Sequence, residues 1–438
     1  MTFDLQERGT TTAREVRGGI ATFLTMAYIL FANPAILAPA GIPAEAAAAA
    51  TAAAAAICTL LMGLGANFPI ALAPGMGLNA VVAFQVVGQA GSWQAAMGLV
   101  VLNGLVVLAL VLAGVREAVM RAIPLDLRRA IGVGIALFIA LIGAVNARLV
   151  VIPPGSISAL ARDPRATVPP VTHGSLHAAE PLLALACLLI IAFLLSKKVP
   201  GAIVIGIVGA TAGGLLLGIS HWPDGAWLRL PRFDTVWQAD LRSAFDVRLL
   251  PLLLSIMMVD FFDTLGTVTA IAETGGLQDR EGRIPRLRSI LAIDSLSAII
   301  GGAFGVSSAT AYVESAAGVA EGARTGLHNV VVAALFAACM FAAPLIGVVP
   351  AAATAPALIV VGFLMCQQIV RIDFAALDTA IPAFLILLMT PLTFSISHGI
   401  GYGFIAYVGI KLLRGRPREV QPMMYVAAAL FVVYFSAA

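Results

Sequence analysis

The sequence predicts an all-α polytopic membrane protein of fourteen segments, arranged as a 7+7 inverted repeat, with short strands in segments 3 and 10. Three observations predict it. Of 438 residues, 60% are hydrophobic and 11% charged, against roughly 25% charged in soluble domains. Apolar stretches near the ~20 residues of a bilayer span recur along the whole chain. Two of those stretches, at corresponding places in the two halves, are broken by glycine, proline or extended-strand residues.

In order, the segments fall near 18–38, 45–65, 69–87, 94–114, 130–150, 181–196 and 200–219. The second set falls near 249–272, 287–304, 307–321, 327–348, 351–370, 379–396 and 399–413. The second segment is alanine-rich and weakly hydrophobic, so it is expected to be enclosed by neighbours. Seven segments per half is odd, so the second half enters the membrane from the opposite side. Weak glycine-phased similarities support the repeat: KKVPGAIVIGIVGATAGGLLLG parallels ISHGIGYGFIAYVGIKLLRG, and the stretch after Pro124 parallels the one after Pro350.

Loop charge orients the chain. With the N-terminus in the cytoplasm, only Arg148, Arg162, Arg165, Arg229, Arg232, Arg242 and Arg248 of the 26 lysines and arginines lie outside. The remainder, including Arg116, Arg121, Arg128, Arg129 and Arg280, lie inside, as the positive-inside rule requires. One missed span would reverse the bias downstream. Residues 1–17 are polar and read as a cytoplasmic N-terminus, with no removable signal peptide. Residues 414–438 read as a cytoplasmic tail. Its apolar stretch 422–435 is about fourteen residues long, so it is expected to lie at the interface or dock there, with a fifteenth span as the alternative.

The third segment reads NFPIALAPGMGLNAVVAF, interrupted by Pro69, Pro74, Gly75 and Gly77. The tenth reads GVSSATAYVESAAGVAEG, where SSATAYV suits a strand and ESAAGVAEG a short helix. Paired broken segments point to a transporter site near the midplane. Extended backbone at that depth is tolerable when buried in protein or lining a cavity. The two strands can pair and deliver two helix starts to the centre, one at Glu314 and the other at Gly75 to Asn79.

Carboxylates gather at the same depth. Asp260 and Asp263 sit in LLPLLLSIMMVDFFDTLGTVTAI, and Glu314 in the tenth segment. A charge at mid-bilayer costs roughly 2.5–3.5 kcal/mol on insertion scales, so such residues usually face a cavity. Three-residue spacing places Asp260 and Asp263 on one helix face, with Thr264 and Thr267. Asn79 is read equally as a ligand contact or a cross-helix bond, and Tyr312 equally as a stacking partner or packing. Asp294 is read as a brace. Glu273 and Glu321 are read as solvated, and His328 and His398 as structural. The four cysteines lie in apolar segments and form no metal or disulfide framework. Nothing matches a nucleophile elbow or phosphate loop. No cofactor, no nucleic-acid partner and no enzymatic activity are expected; the net charge of +3 is scattered over loop ends.

At these residues the chain resembles the AzgA-like purine permeases, a branch of the second family of nucleobase–cation symporters. The stretches that carry the resemblance are TFLTMAYILFANPAIL, APGMGLNAVVAF, VDFFDTLGTVTAIAETGG and YVESAAGVAEGARTGL, and it runs from about residue 14 to 435. The resemblance implies a core domain, 18–114 with 249–348, and a gate domain, 130–219 with 351–413. It implies proton-coupled uptake of adenine, guanine or hypoxanthine through the inner membrane. Asp263 and Glu314 would hold the purine, with Asn79, Tyr312 and Thr267 beside it; Asp260 and Asp263 would serve proton coupling. Thr267 stands where the pyrimidine-carrying branch has a histidine, so an aspartate must take that role here. The rivals are an anion carrier of the same fold, disfavoured by three central acids, and a cation channel, disfavoured by the broken-helix repeat. Which purine is preferred, H⁺ against Na⁺, and dimerisation stay open.

Overall fold

The computed structural model describes residues 3–114, 123–153, 155–156, 159, 163, 171–222, 227–279 and 283–437. Arg116, Arg121, Arg162, Arg165 and Arg280, which entered the loop charges, lie outside the described residues. The chain is mostly helical. Among the described residues, nine helices are long and apolar enough to cross a membrane.

The first expected segment is two helices, α1 (Thr12–Met26) and α2 (Ile29–Leu37), parted at Ala27 and Tyr28. The Thr11 side chain caps α1 by accepting from the Arg14 N–H. Then come α3 (Ala44–Ala66), strand β1 (Leu72–Pro74), α4 (Met76–Ala90, with a π turn at Val82–Val86) and α5 (Trp93–Leu112). The half closes with α6 (Leu125–Asn146), a small antiparallel pair of β2 (Val150–Val151) with β3 (Thr172–His173), α7 (Ala179–Ser196) and α8 (Ala202–Leu216). The second half runs α9 (Leu250–Gly275), α10 (Leu287–Ala303), β4 (Ala309–Ala311), α11 (Ser315–Ala320) and α12 (Leu327–Cys339). It ends with α13 (Ala351–Cys366), α14 (Leu377–Leu392), α15 (Ile396–Leu413) and α16 (Pro422–Ala437).

The packing is reciprocal. α3 lies on α12 as α5 lies on α10, α6 lies on α14 as α7 lies on α13, and α6 and α13 pack on each other. Exchanging the two halves leaves this pattern unchanged. Small residues permit the close crossings. At the α3–α12 crossing, a Cβ on Gly326 would fall onto the Gly63 carbonyl.

At the centre, β1 and β4 form a two-stranded antiparallel ladder, Leu72 opposite Ala311 and Pro74 opposite Ala309. The Gly75 N–H donates to the Ser308 carbonyl at 2.8 Å and the Tyr312 N–H to the Ala71 carbonyl at 3.0 Å, extending it at both ends. Side chains fill the edges that a third strand would take. Thr59 Oγ1 bonds both the N–H and the carbonyl of Leu72 at 2.9 Å, and Ser315 Oγ accepts from the Ala71 N–H. Asn329 Nδ2 donates to the carbonyls of Phe68 and Ile70. This is how extended backbone survives where no water reaches it.

The C-terminal helix is docked on its neighbour: α16 packs antiparallel on α15. Near its start, Tyr425 donates to the Pro417 carbonyl at 2.9 Å. Midway, the Phe431 ring meets Phe404 at 6.1 Å, and near its end Phe435 meets Tyr402 at 5.0 Å and His398 at 5.7 Å. Gln89 Nε2 donates to the Tyr434 hydroxyl at 3.2 Å. At ~1.5 Å per residue this arm is about 24 Å long; one side packs on α15 through Met424, Ala428 and Phe431, while Val426, Leu430 and Val433 are exposed. The turn that starts it is held by Lys411, 2.7 Å from Asp378 and 2.6 Å from Glu419. That hydrogen bond holds the Glu419 carboxyl below its usual range.

Candidate functional site

The helix starts after the two strands, the middle of α9, and the helices α6 and α13 enclose one cavity of about 360 Å³. That is within the usual range for small-molecule sites, about 300–1,000 Å³. α9 supplies Asp263, Gly266 and Thr267; the β4–α11 break supplies Val313 and Glu314; α4 supplies Gly77. The opposite wall is Arg128, Ile131, Gly132 and Ile135 of α6 with Val361, Leu364, Met365 and Gln368 at α13 and the turn after it. A narrower recess of about 60 Å³ adjoins it and brings in Tyr28, Gly75, Met76 and Tyr312.

Each acid has a local reason for its place. Glu314 occupies the position just before α11, because the chain must leave β4 and turn into a helix within three residues, and its side chain is not used as a cap. Its Oε1 accepts from the Tyr28 hydroxyl at 2.6 Å. A carboxylate has about four acceptor positions, so capacity remains. Asp263 makes no hydrogen bond or ion pair among the described residues. Both acids are partly accessible because they border the cavity. Thr267, one turn further along α9, lines the same space.

The structure corrects the single α9 face expected from spacing. Three residues on a helix leave about 60° of rotation between side chains, and here that angle divides two environments. Asp263 and Thr267 face the cavity. Asp260 and Thr264 face the strands and α10: Ser308 Oγ donates to Asp260 Oδ1 at 3.3 Å, and Thr264 Oγ1 donates to Asp294 Oδ2 at 2.8 Å and lies 3.1 Å from Thr310 Oγ1. Asp260 is 0% exposed and borders neither cavity space.

Asn79 is also not brought to the cavity. It is fully buried in α4, and neither amide atom has a hydrogen-bond partner among the described residues. Tyr312 borders the recess with its ring and donates its hydroxyl to the Pro74 carbonyl at 2.6 Å, tying one strand to the other. His328 is fully buried, with its ring nitrogens on Thr22 and Asn329. Sequence reasoning missed Tyr28 and the α6–α13 wall. Tyr28 carries a faint signal, a lone hydroxyl-bearing ring in the apolar run TMAYILF. Its role depends on the α1–α2 break, which no glycine or proline announces.

Comparison with known proteins agrees with this architecture. The Permease family model, Xan_ur_permease, matches residues 13–401. The adenine permease AdeP of Escherichia coli K12 is 40% identical over 433 residues, 98% of this chain and 94% of that protein. The guanine/hypoxanthine permease PbuG of Bacillus subtilis 168 is 40% identical over 447 residues, 99% and 98% of the two chains. Among solved structures, the transmembrane domain of the cyanobacterial bicarbonate transporter BicA is similar, with a TM-score of 0.62 at 19% identity, over 91% of this chain and 97% of that one. Murine Slc26a9, an anion transporter in the inward-facing state, gives 0.65 at 14% identity, over 92% and 68%. These two share the fold alone. With a near-complete family match and such relatives, the chain is a multi-pass membrane protein, a transporter and not an enzyme, and it belongs to the Permease family alongside adenine and guanine/hypoxanthine permeases.

Proposed function

We propose that this permease imports purine nucleobases by proton symport across the inner membrane, with Asp263 and Glu314 as the substrate ligands. The observation that carries the reading is one cavity into which two carboxylates open, Glu314 from the strand–helix break and Asp263 from the middle of α9. A purine is planar, neutral and rich in N–H donors, which carboxylates accept. Thr267 offers a further donor and acceptor, and the Tyr312 ring a flat wall. An anion, the cargo named for the solved neighbours of this fold, would meet two acids here and be repelled.

The strand pair, the reciprocal packing and the loop charges support an inverted repeat in which 18–114 with 249–348 form a core and 130–219 with 351–413 form a gate. The cavity borders both, so alternating access by movement of core against gate fits the geometry. Asp260 and Asp263 are the proton-coupling candidates, one sealed and one at the cavity. Competition against labelled hypoxanthine uptake in proteoliposomes tests the substrate class. Adenine, guanine and unlabelled hypoxanthine are expected to compete and uracil and bicarbonate are not; competition by bicarbonate alone would install the anion reading.

Orientation gives a second expectation. With the N-terminus cytoplasmic, His398 and Gln89 lie at the outer side, and α16 ends beside them. A cysteine at Ser436, in a chain lacking Cys58, Cys187, Cys339 and Cys366, should react with an impermeant maleimide on intact cells. Reaction only after the cytoplasmic face is opened would put α16 back at the inner surface.

A further inference from the structure

We propose that the end of the cavity between α6 and α13 is a second purine subsite, where Arg128 reads the O6/N7 edge of a 6-oxopurine with Gln368 beside it. The inference rests on the purine reading of the acid end and extends it to substrate preference. Arg128 and Arg129 are adjacent in the first turn of α6, after Pro124, yet they go different ways. Arg129 pairs with Asp126 at 3.1 Å and donates to the Arg371 carbonyl, so its charge is spent at the surface. Arg128 borders the cavity, and no carboxylate pairs with it among the described residues. Its Nε is shut off from solvent and has no hydrogen-bond partner among them. Gln368 comes from the opposite half of the chain, in the turn Gln367–Arg371 after α13, and borders the same space.

These two side-chain types are the ones that read a purine's outer edge. A guanidinium donates two parallel N–H groups to the adjacent O6 and N7 acceptors of guanine, an arrangement hypoxanthine shares. Adenine presents an amino donor at position 6, which a guanidinium cannot accept; an amide such as Gln368 can bond it. The cavity is therefore polarised to suit the ligand. Carboxylate acceptors stand at one end for the base's N–H groups, and a donor fork stands at the other for its acceptor edge. Since Arg128 outranks Gln368 in charge and donor number, the subsite favours hypoxanthine and guanine over adenine.

The test uses the full-length protein in nanodiscs and reads the ratio of hypoxanthine to adenine dissociation constants by competition. Arg128→Gln is expected to shift that ratio towards adenine by about tenfold. Arg128→Lys keeps the charge but not the fork, and is expected to shift it the same way. An unchanged ratio in both variants, or equal loss of both purines, overturns the subsite. Failure of the unmodified protein to bind any purine would instead sink the reading of the acid end, before either variant is made.

Discussion

Glu314→Gln is expected to raise the dissociation constant for purines roughly a hundredfold, about 3 kcal/mol, while the protein stays folded. The charge-assisted bonds from the ligand's N–H groups weaken when the carboxylate becomes an amide, and the amide NH₂ meets a donor where an acceptor is needed. Folding should survive for a local reason. Gln keeps an oxygen for the Tyr28 hydroxyl, and the ladder beside it is held by backbone groups, Thr59 and Ser315. Isothermal titration with hypoxanthine, beside a melting curve in the same detergent, checks both halves. A Gln variant that binds as tightly as the parent removes Glu314 from the ligand set.

Asp263→Asn and Asp260→Asn should separate completely, although three residues part them. Asp263 faces the cavity, so its replacement is expected to abolish binding. Asp260 is sealed against Ser308, so its replacement should leave binding and purine exchange intact. Under the proton-symport reading, the Asn mimics a permanently protonated side chain, and accumulation driven by a pH gradient should fall to the exchange level. Counterflow and gradient-driven uptake in the same proteoliposomes decide it. Normal accumulation in Asp260→Asn would move the coupling proton to the cavity, with Asp263 and Glu314 next in line.

Much of this molecule was legible in the sequence because membranes allow few solutions. Apolar length marked the helices, and the glycines and prolines of NFPIALAPGMG marked the break that β1 fills. Glu314 and Asp263 stood out because charge at that depth is costly. The rest depended on angles that spacing does not contain. Asp260 and Asp263 looked like one face because three residues are close to a turn, but the remaining rotation was enough to put one behind the strands. Asn79 stands at the helix start the sequence marked, but spacing could not tell that its side chain is buried away from the cavity. Length alone left the C-terminal stretch as a docked or interfacial helix; what it packs on is given by Phe431, Tyr434 and Phe435 meeting partners along α15 and at Gln89. Arg128 read as one of many loop charges, since only the fold distinguishes it from Arg129.

The β1–β4 ladder ties together residues 72 and 311, from opposite halves, through backbone bonds that have no water to replace them. The pieces it joins therefore behave as one body: the helix starts at Gly75 and Glu314 keep their spacing whatever else shifts. Among the described residues, the α6–α13 wall has no such backbone ladder to β1 or β4. If the protein changes shape, the seam between ladder and wall is the cheap place to slip. A ligand held by Glu314 would then ride as a passenger with fixed neighbours on one side and a changing landscape on the other. The travelling side would then keep one set of contacts throughout, while the contacts offered by the wall, Arg128 and Gln368 among them, would change with its position.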